Sequence, residues 1–215
     1  MIYSPARRFV FVHIPKTGGT ALATVLEEEA DSDDWLIGDT PAAKAARRTL
    51  PHAVRQIGKH GRLADLVQLI GPKALDGAFV FTLVRNPWDR AVSYYHWLRE
   101  QSFKHPAVAL ARARTFEGFV TAPQTLASFA ANPADAQVRL PDGSLRCDAF
   151  VRLERFDDDI QPLAAHLGCP IALPKMRINA SSRNSDWRSY YSSASADLVA
   201  RACSADVARF GYRFN

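Results

Sequence analysis

Cysteine is scarce in this 215-residue chain: Cys147, Cys169 and Cys203 are the only three, and none stands at metal-ligand spacing. Any single pairing would strand an odd thiol, so neither a disulfide scaffold nor a metal centre is expected, and a reducing cytoplasm is the simpler setting. No apolar run reaches the roughly 20 residues needed to span a bilayer. The opening MIYSPARRF carries basic residues but lacks the apolar stretch and small-residue cleavage site of a secretory leader, and it runs into a short strand pattern. No internal repeat or low-complexity tract interrupts the chain. The net charge is +5, and residues 175 to 215 supply +4 of it, with seven Lys or Arg against three Asp. That basic closing segment suits a polyanionic ligand, yet its arginines follow no nucleic-acid-binding pattern. Apolar residues make up 47% of the chain, enough for a substantial core, and nothing marks a second domain, so residues 1–215 read as one.

What the chain does have is the stretch FVFVHIPKTGGTAL at residues 9 to 22. Alternating Phe and Val predict a buried strand, and Gly18 and Gly19 let the backbone turn and approach a ligand before a helix begins. Helix N-termini present unpaired NH groups, so such a junction attracts phosphate-like anions. Lys16 adds a point charge, and the hydroxyls of Thr17 and Thr20 add donors. The usual triphosphate loop, GxxxxGK[ST], places lysine after its last glycine and a metal-holding hydroxyl behind it. Here Lys16 precedes the glycine pair. The plain alternative is a strand-to-helix turn whose glycines serve packing only.

A second junction, AFVFTLVRNPWDRAVSYYHWLRE at residues 78 to 100, repeats the plan of strand followed at once by helix. Asn86 is a fitting cap, Pro87 suits the first helical position, and Asp89 complements the helix dipole. Trp88, Ala91, Val92 and Tyr95 recur at helical spacing and are expected to face the core. Ser93 lies off that stripe, where it and Arg85 are able to share an anion. An ion pair for Arg85 and a solvated hydroxyl for Ser93 are the competing readings.

Together the two junctions resemble those of sulfotransferases that use 3′-phosphoadenosine 5′-phosphosulfate (PAPS). In that family a Lys-Thr-Gly-Gly-Thr type loop holds the 5′-phosphosulfate, and an Arg followed eight residues later by Ser holds the 3′-phosphate; both stand here as HIPKTGGT and RNPWDRAVS. VRNPWDRAVSYY is most similar to the branch that includes carbohydrate sulfotransferases and many bacterial homologues. Weaker matches continue through FVRLERFDDDI at 150 to 160, INASSRNSDW at 178 to 187 and FGYRF near the end. The resemblance implies a P-loop-like three-layer α/β fold, with a mainly parallel central sheet flanked by helices and both junctions at the strands' carboxyl ends, in agreement with the strand-helix alternation. It implies that Lys16, Thr17, Gly18, Gly19, Thr20, Arg85, Ser93, Asn179 and Ser181 bind the donor, and that the product is 3′-phosphoadenosine 5′-phosphate (PAP). The acceptor is then a hydroxyl compound, and the branch favours a sugar: a glycan or glycolipid. Many eukaryotic members are anchored in the Golgi membrane, so the lack of an anchor pattern points to the soluble bacterial type.

Sulfuryl transfer requires in-line placement, charge stabilisation on the departing phosphate oxygen and removal of the acceptor's proton. Lys16 suits the second task, and no metal is expected. For the third, His52 in PHAVRQI is the chosen base, because the branch often places a histidine before the helix that leads to the second junction. His13 lies on the apolar strand, His96 on the second helix, and His60, His105 and His166 have no supporting context; Glu154 is the carboxylate alternative. A P-loop-type small-molecule kinase and a non-catalytic binder of nucleotides or polyanions are the other classes.

Elsewhere the pattern predicts a solvated acidic run at 27 to 34, a short strand in WLIGD, and an amphipathic helix from Ala53 to Ile70 interrupted by Gly58 and Gly61. It also predicts mostly helix at 106 to 131, a PDG turn at 141 to 143, a strand in CDAFVRLERF, a helix from Asp157 to Leu167 and an extended Phe210–Phe214.

Overall fold

The Phe-Val run at residues 9 to 12 is buried throughout, as a strand covered on both faces must be. The computed structural model, which describes residues 1–174 and 183–214, builds a five-stranded sheet around it. The strands are β1 (Ile2–Ser4), β2 (Phe9–Val12), β3 (Trp35–Leu36), β4 (Phe79–Val84) and β5 (Ala149–Arg152), in the order β3-β1-β2-β4-β5. Strands β2, β4 and β5 run parallel, with Phe11 opposite Phe81 and Phe81 opposite Ala149. The edge is antiparallel: β1 pairs with both β2 and β3. The first described helices are α1 (Gly19–Glu27), α2 (Pro41–Ala46), α3 (His52–Gln56), α4 (Leu63–Ile70), α5 (Pro87–Glu100) and α6 (Pro106–Ala113). They are followed by α7 (Phe116–Val120), α8 (Pro123–Ala130), α9 (Phe156–Asp159), α10 (Gln161–Leu167), α11 (Ser193–Ala202) and α12 (Ser204–Phe210).

The chain forms two compact units, Met1–Val84 with Ala134–Ile178, and Arg85–Pro133 with Asn179–Asn215. The first holds the whole sheet. Because side chains alternate along a strand, Phe9, Phe11, Phe81, Leu83 and Val151 share one face and pack on Leu22 and Leu26 of α1 and Leu163 of α10. Val10, Val12 and Val80 take the other face, against Val54 of α3 and Leu63, Leu66 and Val67 of α4. Helices, sheet and helices make the three-layer, P-loop-like α/β arrangement. Burial of this kind contributes about 25 cal/mol per Å² of apolar surface, so the sheet is the rigid platform for whatever its carboxyl ends carry.

Three details of this unit depart from the sequence pattern. The helix expected from Ala53 to Ile70 is two helices, because Ile57 and Arg62 are extended and Gly61 NH bonds the Gly58 carbonyl at 2.8 Å, closing a turn over Lys59 and His60. A Cβ on Gly61 would stand 2.4 Å from Ile57 Cγ2, so the turn needs glycine there. The acidic run is not solvated to its end: Asp34 is buried and paired with Arg7 at 2.8 Å. The expected helix from Asp157 to Leu167 is split at Ile160 into α9 and α10. The PDG turn forms as expected, with Gly143 at φ +83° and Arg139 bridging Leu145.

The second unit is helical. Trp88, Ala91, Val92, Tyr95 and Leu98 form the buried stripe of α5, and Val108, Ala111, Phe116, Phe119, Val120, Ala196 and Val199 pack on it. Trp88 Nε1 donates to the Ala196 carbonyl at 2.9 Å, so the one polar atom of that ring is satisfied inside the cluster. Residues 106 to 131 are cut into three helices, capped by His105 and Thr115 and restarted at Pro123. The closing residues are not an extended piece. Phe210 ends α12, Gly211 turns the chain at φ +66°, and Phe214 lies edge-on to Trp88 at 5.6 Å.

Candidate functional site

The loop after β2 is built from residues that each solve a local problem. Thr17 is buried and its hydroxyl donates to the Ile14 carbonyl at 2.9 Å, closing the turn, so any ligand contact from Thr17 falls to its backbone. Lys16 sits at φ +66° and Gly18 at φ +88°. A left-handed lysine costs on the order of 1 kcal/mol and persists only where its surroundings hold it. α1 then starts at Gly19 with no side-chain cap and no acidic residue in its first turn, leaving its positive end undamped.

Gly19 serves His13. A Cβ at Gly19 would lie 2.4 Å from His13 Cδ2 and 2.5 Å from Nε2, so the room beside this glycine is filled by the imidazole. That ring is 4% exposed, stacks on Phe11 and meets the His60 ring edge-on at 4.8 Å. Burial, reinforced by nearby cationic groups, holds the His13 pKa far below the ordinary imidazole range, so the ring is neutral.

His60, which has no supporting context in the sequence, is thereby tied to the loop. Its Nδ1 lies 2.8 Å from the His13 carbonyl oxygen. A carbonyl only accepts, so Nδ1 carries the hydrogen and Nε2 carries the lone pair. The residue is open to solvent on one side while its ring is crowded by His13. That partial burial, with the Lys59 ammonium acting in the same direction, outweighs the raising effect of the His13 hydrogen bond and lowers the His60 pKa. Lys59 belongs to no motif in the sequence. Its Nζ donates to Thr20 Oγ1 at 3.0 Å and pairs with Asp39 at 2.5 Å, bringing a second ammonium to the first turn of α1. Burial raises the Asp39 pKa, but the Lys59 partner overrides it and leaves the carboxylate below its usual range.

His52 opens α3 as an exposed residue, and Glu154 is exposed in the turn after β5. His105 caps α6 through Nδ1, and His166 Nε2 lies 3.1 and 2.9 Å from the carbonyls of Arg7 and Arg8. Both are occupied in support of the fold.

In the second unit, Asn86 Oδ1 accepts from the NH groups of Trp88 and Asp89 and starts α5 as its sequence requires. Arg85 donates through Nε and Nη2 to Asp89 Oδ2 at 2.9 and 2.6 Å. Arg183 Nη1 stands 2.7 Å from Asp89 Oδ1, a charge contact without hydrogen-bond alignment, and donates to the Asp89 carbonyl at 3.3 Å. One carboxylate thus joins two guanidiniums. Ser93 is half-buried one turn further along α5. His96 follows, its ring edge-on to Tyr95 and Tyr190, its Nε2 buried without a hydrogen-bond partner among the described residues. Burial first, then Arg183, lowers the His96 pKa. Tyr190 and Tyr191 pack with Phe116, and Tyr191 donates to the Trp88 carbonyl at 2.8 Å, which makes the pair part of the aromatic core. Asn179 and Ser181 lie outside the described residues. Among the described residues no group of His, Cys, Asp and Glu is arranged to hold a metal ion, and no helix is long and apolar enough to cross a membrane.

A family model described as "Sulfotransferase family" matches residues 1–212. Comparison with curated proteins and with solved structures gives no match.

Proposed function

Because the chain belongs to the sulfotransferase family, whose enzymes transfer sulfate, we propose that it moves a sulfuryl group from PAPS to a hydroxyl acceptor. One observation carries the reading: a left-handed Lys16 set immediately before the uncapped, positive end of α1, where Lys59 adds a second ammonium through Thr20. We read this as a cradle for an anion, with the lysine ahead of the glycines where a triphosphate loop carries it after them. In the second unit Arg85, Arg183 and Ser93 offer cations and a hydroxyl of their own, which suits the donor's second anionic group. We take residues 1–215 to act as one sulfotransferase domain, since the family match spans both units.

PAPS when bound would supply the sulfuryl group and a phosphate leaving group. The protein's part is electrostatic and acid-base. The NH groups of Gly19 and Thr20 orient an anion, and the Lys16 ammonium offsets negative charge developing beside it. His60 is our candidate to take the acceptor's proton at Nε2, a choice supported by the tautomer that the His13 carbonyl fixes and by a lowered pKa that favours the neutral ring. We put it ahead of His52, which opens α3 in the open. The sequence similarity to the carbohydrate branch of bacterial type favours a sugar hydroxyl, on a glycan or glycolipid, as acceptor.

The test is transfer of label from sulfuryl-labelled PAPS to a panel of saccharides and glycolipids. Wild-type protein should label one of them. Lys16→Ala and His60→Ala should each slow transfer by about 10²- to 10³-fold while leaving the fold intact. His52→Ala should stay within a few-fold of wild type; a large loss there with an active His60→Ala would return the base to His52.

A further inference from the structure

Asp89 has one carboxylate and two arginine partners. Arg85 is bound side-on by Oδ2 through Nε and Nη2, and Arg183, far along the chain, is drawn to Oδ1 and to the Asp89 carbonyl. All three side chains are only 13 to 14% exposed, so these charges are weakly screened. The trio carries a net charge of +1. Two guanidiniums that close would repel if left alone; the carboxylate between them offsets that repulsion, fixes the plane of Arg85 through two hydrogen bonds and holds Arg183 by charge. Asp89 is in turn held by the first turn of α5, where Asn86 caps its NH. Ser93 and His96 continue along the same helix at four and seven residues beyond Asp89.

We infer that Asp89 is a positioning residue that yokes Arg85 and Arg183 into a single cationic fork for a phosphomonoester. The inference rests on the proposed donor reading and deepens it: the fork is the part that takes the 3′-phosphate, and Asp89 acts through the arginines without touching the ligand. Preorganisation is what the carboxylate contributes, since a phosphate then meets two guanidiniums already placed. Its opposing effect, repulsion of the phosphate, is the smaller one, because both of its oxygens are engaged by arginine.

The experiment measures binding of PAP and of adenosine 5′-phosphate, which differ by the 3′-phosphate alone, to wild type, Arg85→Ala, Asp89→Asn, Arg183→Ala and the Asp89→Asn/Arg183→Ala double variant. Asp89→Asn should weaken PAP about tenfold and leave adenosine 5′-phosphate unchanged, and should raise the donor KM by more than it lowers kcat. The double variant should lose little beyond either single change, as expected of residues acting as a unit. Equal loss of both nucleotides, tighter PAP binding or fully additive losses would overturn the positioning role. If Asp89→Asn does not fold, Arg183→Ala carries the test through the same nucleotide pair. An unchanged preference for PAP in Arg85→Ala overturns the donor reading and this inference together, whereas collapse in Arg85→Ala with wild-type behaviour in Asp89→Asn overturns this inference alone.

Discussion

His13 ties strand, loop and His60 together, and its burial makes stability depend on pH. In the folded chain the imidazole stays neutral far below its ordinary pKa of 6.5, whereas in the unfolded chain it protonates near that value. The unfolded state therefore binds more protons below pH 6.5, so the stabilising contribution is complete above it and is lost as the pH falls. His60 and His96 shift in the same direction. Between pH 6 and 5, before most carboxylates titrate, His13 alone should remove up to about 1.4 kcal/mol per pH unit. Urea unfolding across that range should show a shallower slope in His13→Gln; an unaltered slope would contradict the assignment. At this scale the sequence marked Lys16 and Arg85 as candidates, because their motifs are local. It hid Lys59 and His60, because their approach to the loop depends on a turn between two helices. It also gave no sign that the His13 imidazole fills the room beside Gly19.

Elements were legible wherever a residue type forces the local geometry. Asn86-Pro87 marks the start of α5, and the structure uses it so: Oδ1 caps two NH groups while Nδ2 donates to the Arg213 carbonyl at 3.4 Å. Asn86→Ala should cost about 1–2 kcal/mol in chemical denaturation, and Asn86→Asp, which keeps the capping oxygen, should recover most of it. A loss below about 0.3 kcal/mol would deny the cap its role, being within the range of an ordinary surface change. The alternating strands β2 and β4 were equally plain. Helix ends inside 53 to 70 and 106 to 131 were not, since amphipathic spacing continues across a short turn without losing phase. The closing aromatics misled for a different reason: Phe210, Tyr212 and Phe214 alternate as in a strand, but Gly211 in the left-handed region is a helix stop.

For the whole molecule, the sheet unit carries the proposed anion cradle at the carboxyl end of β2, and the helical unit carries an arginine cluster at the start of α5. The family match covers the residues of both. The proposed donor carries two anionic groups, a phosphomonoester among them, whereas the competing ligand is a triphosphate with its magnesium. Acceptor choice was illegible in the sequence because the positions that would shape it belong to loops with no motif of their own. The most direct measurement is the thermal stability of the wild-type chain with PAP and with ATP plus magnesium at equal concentration. At 100 times its dissociation constant a ligand adds about 2.7 kcal/mol, equivalent to a shift of roughly 5–10 °C for a chain of this size. PAP should give the larger shift; an equal or larger shift with ATP and magnesium would rule out the donor assignment.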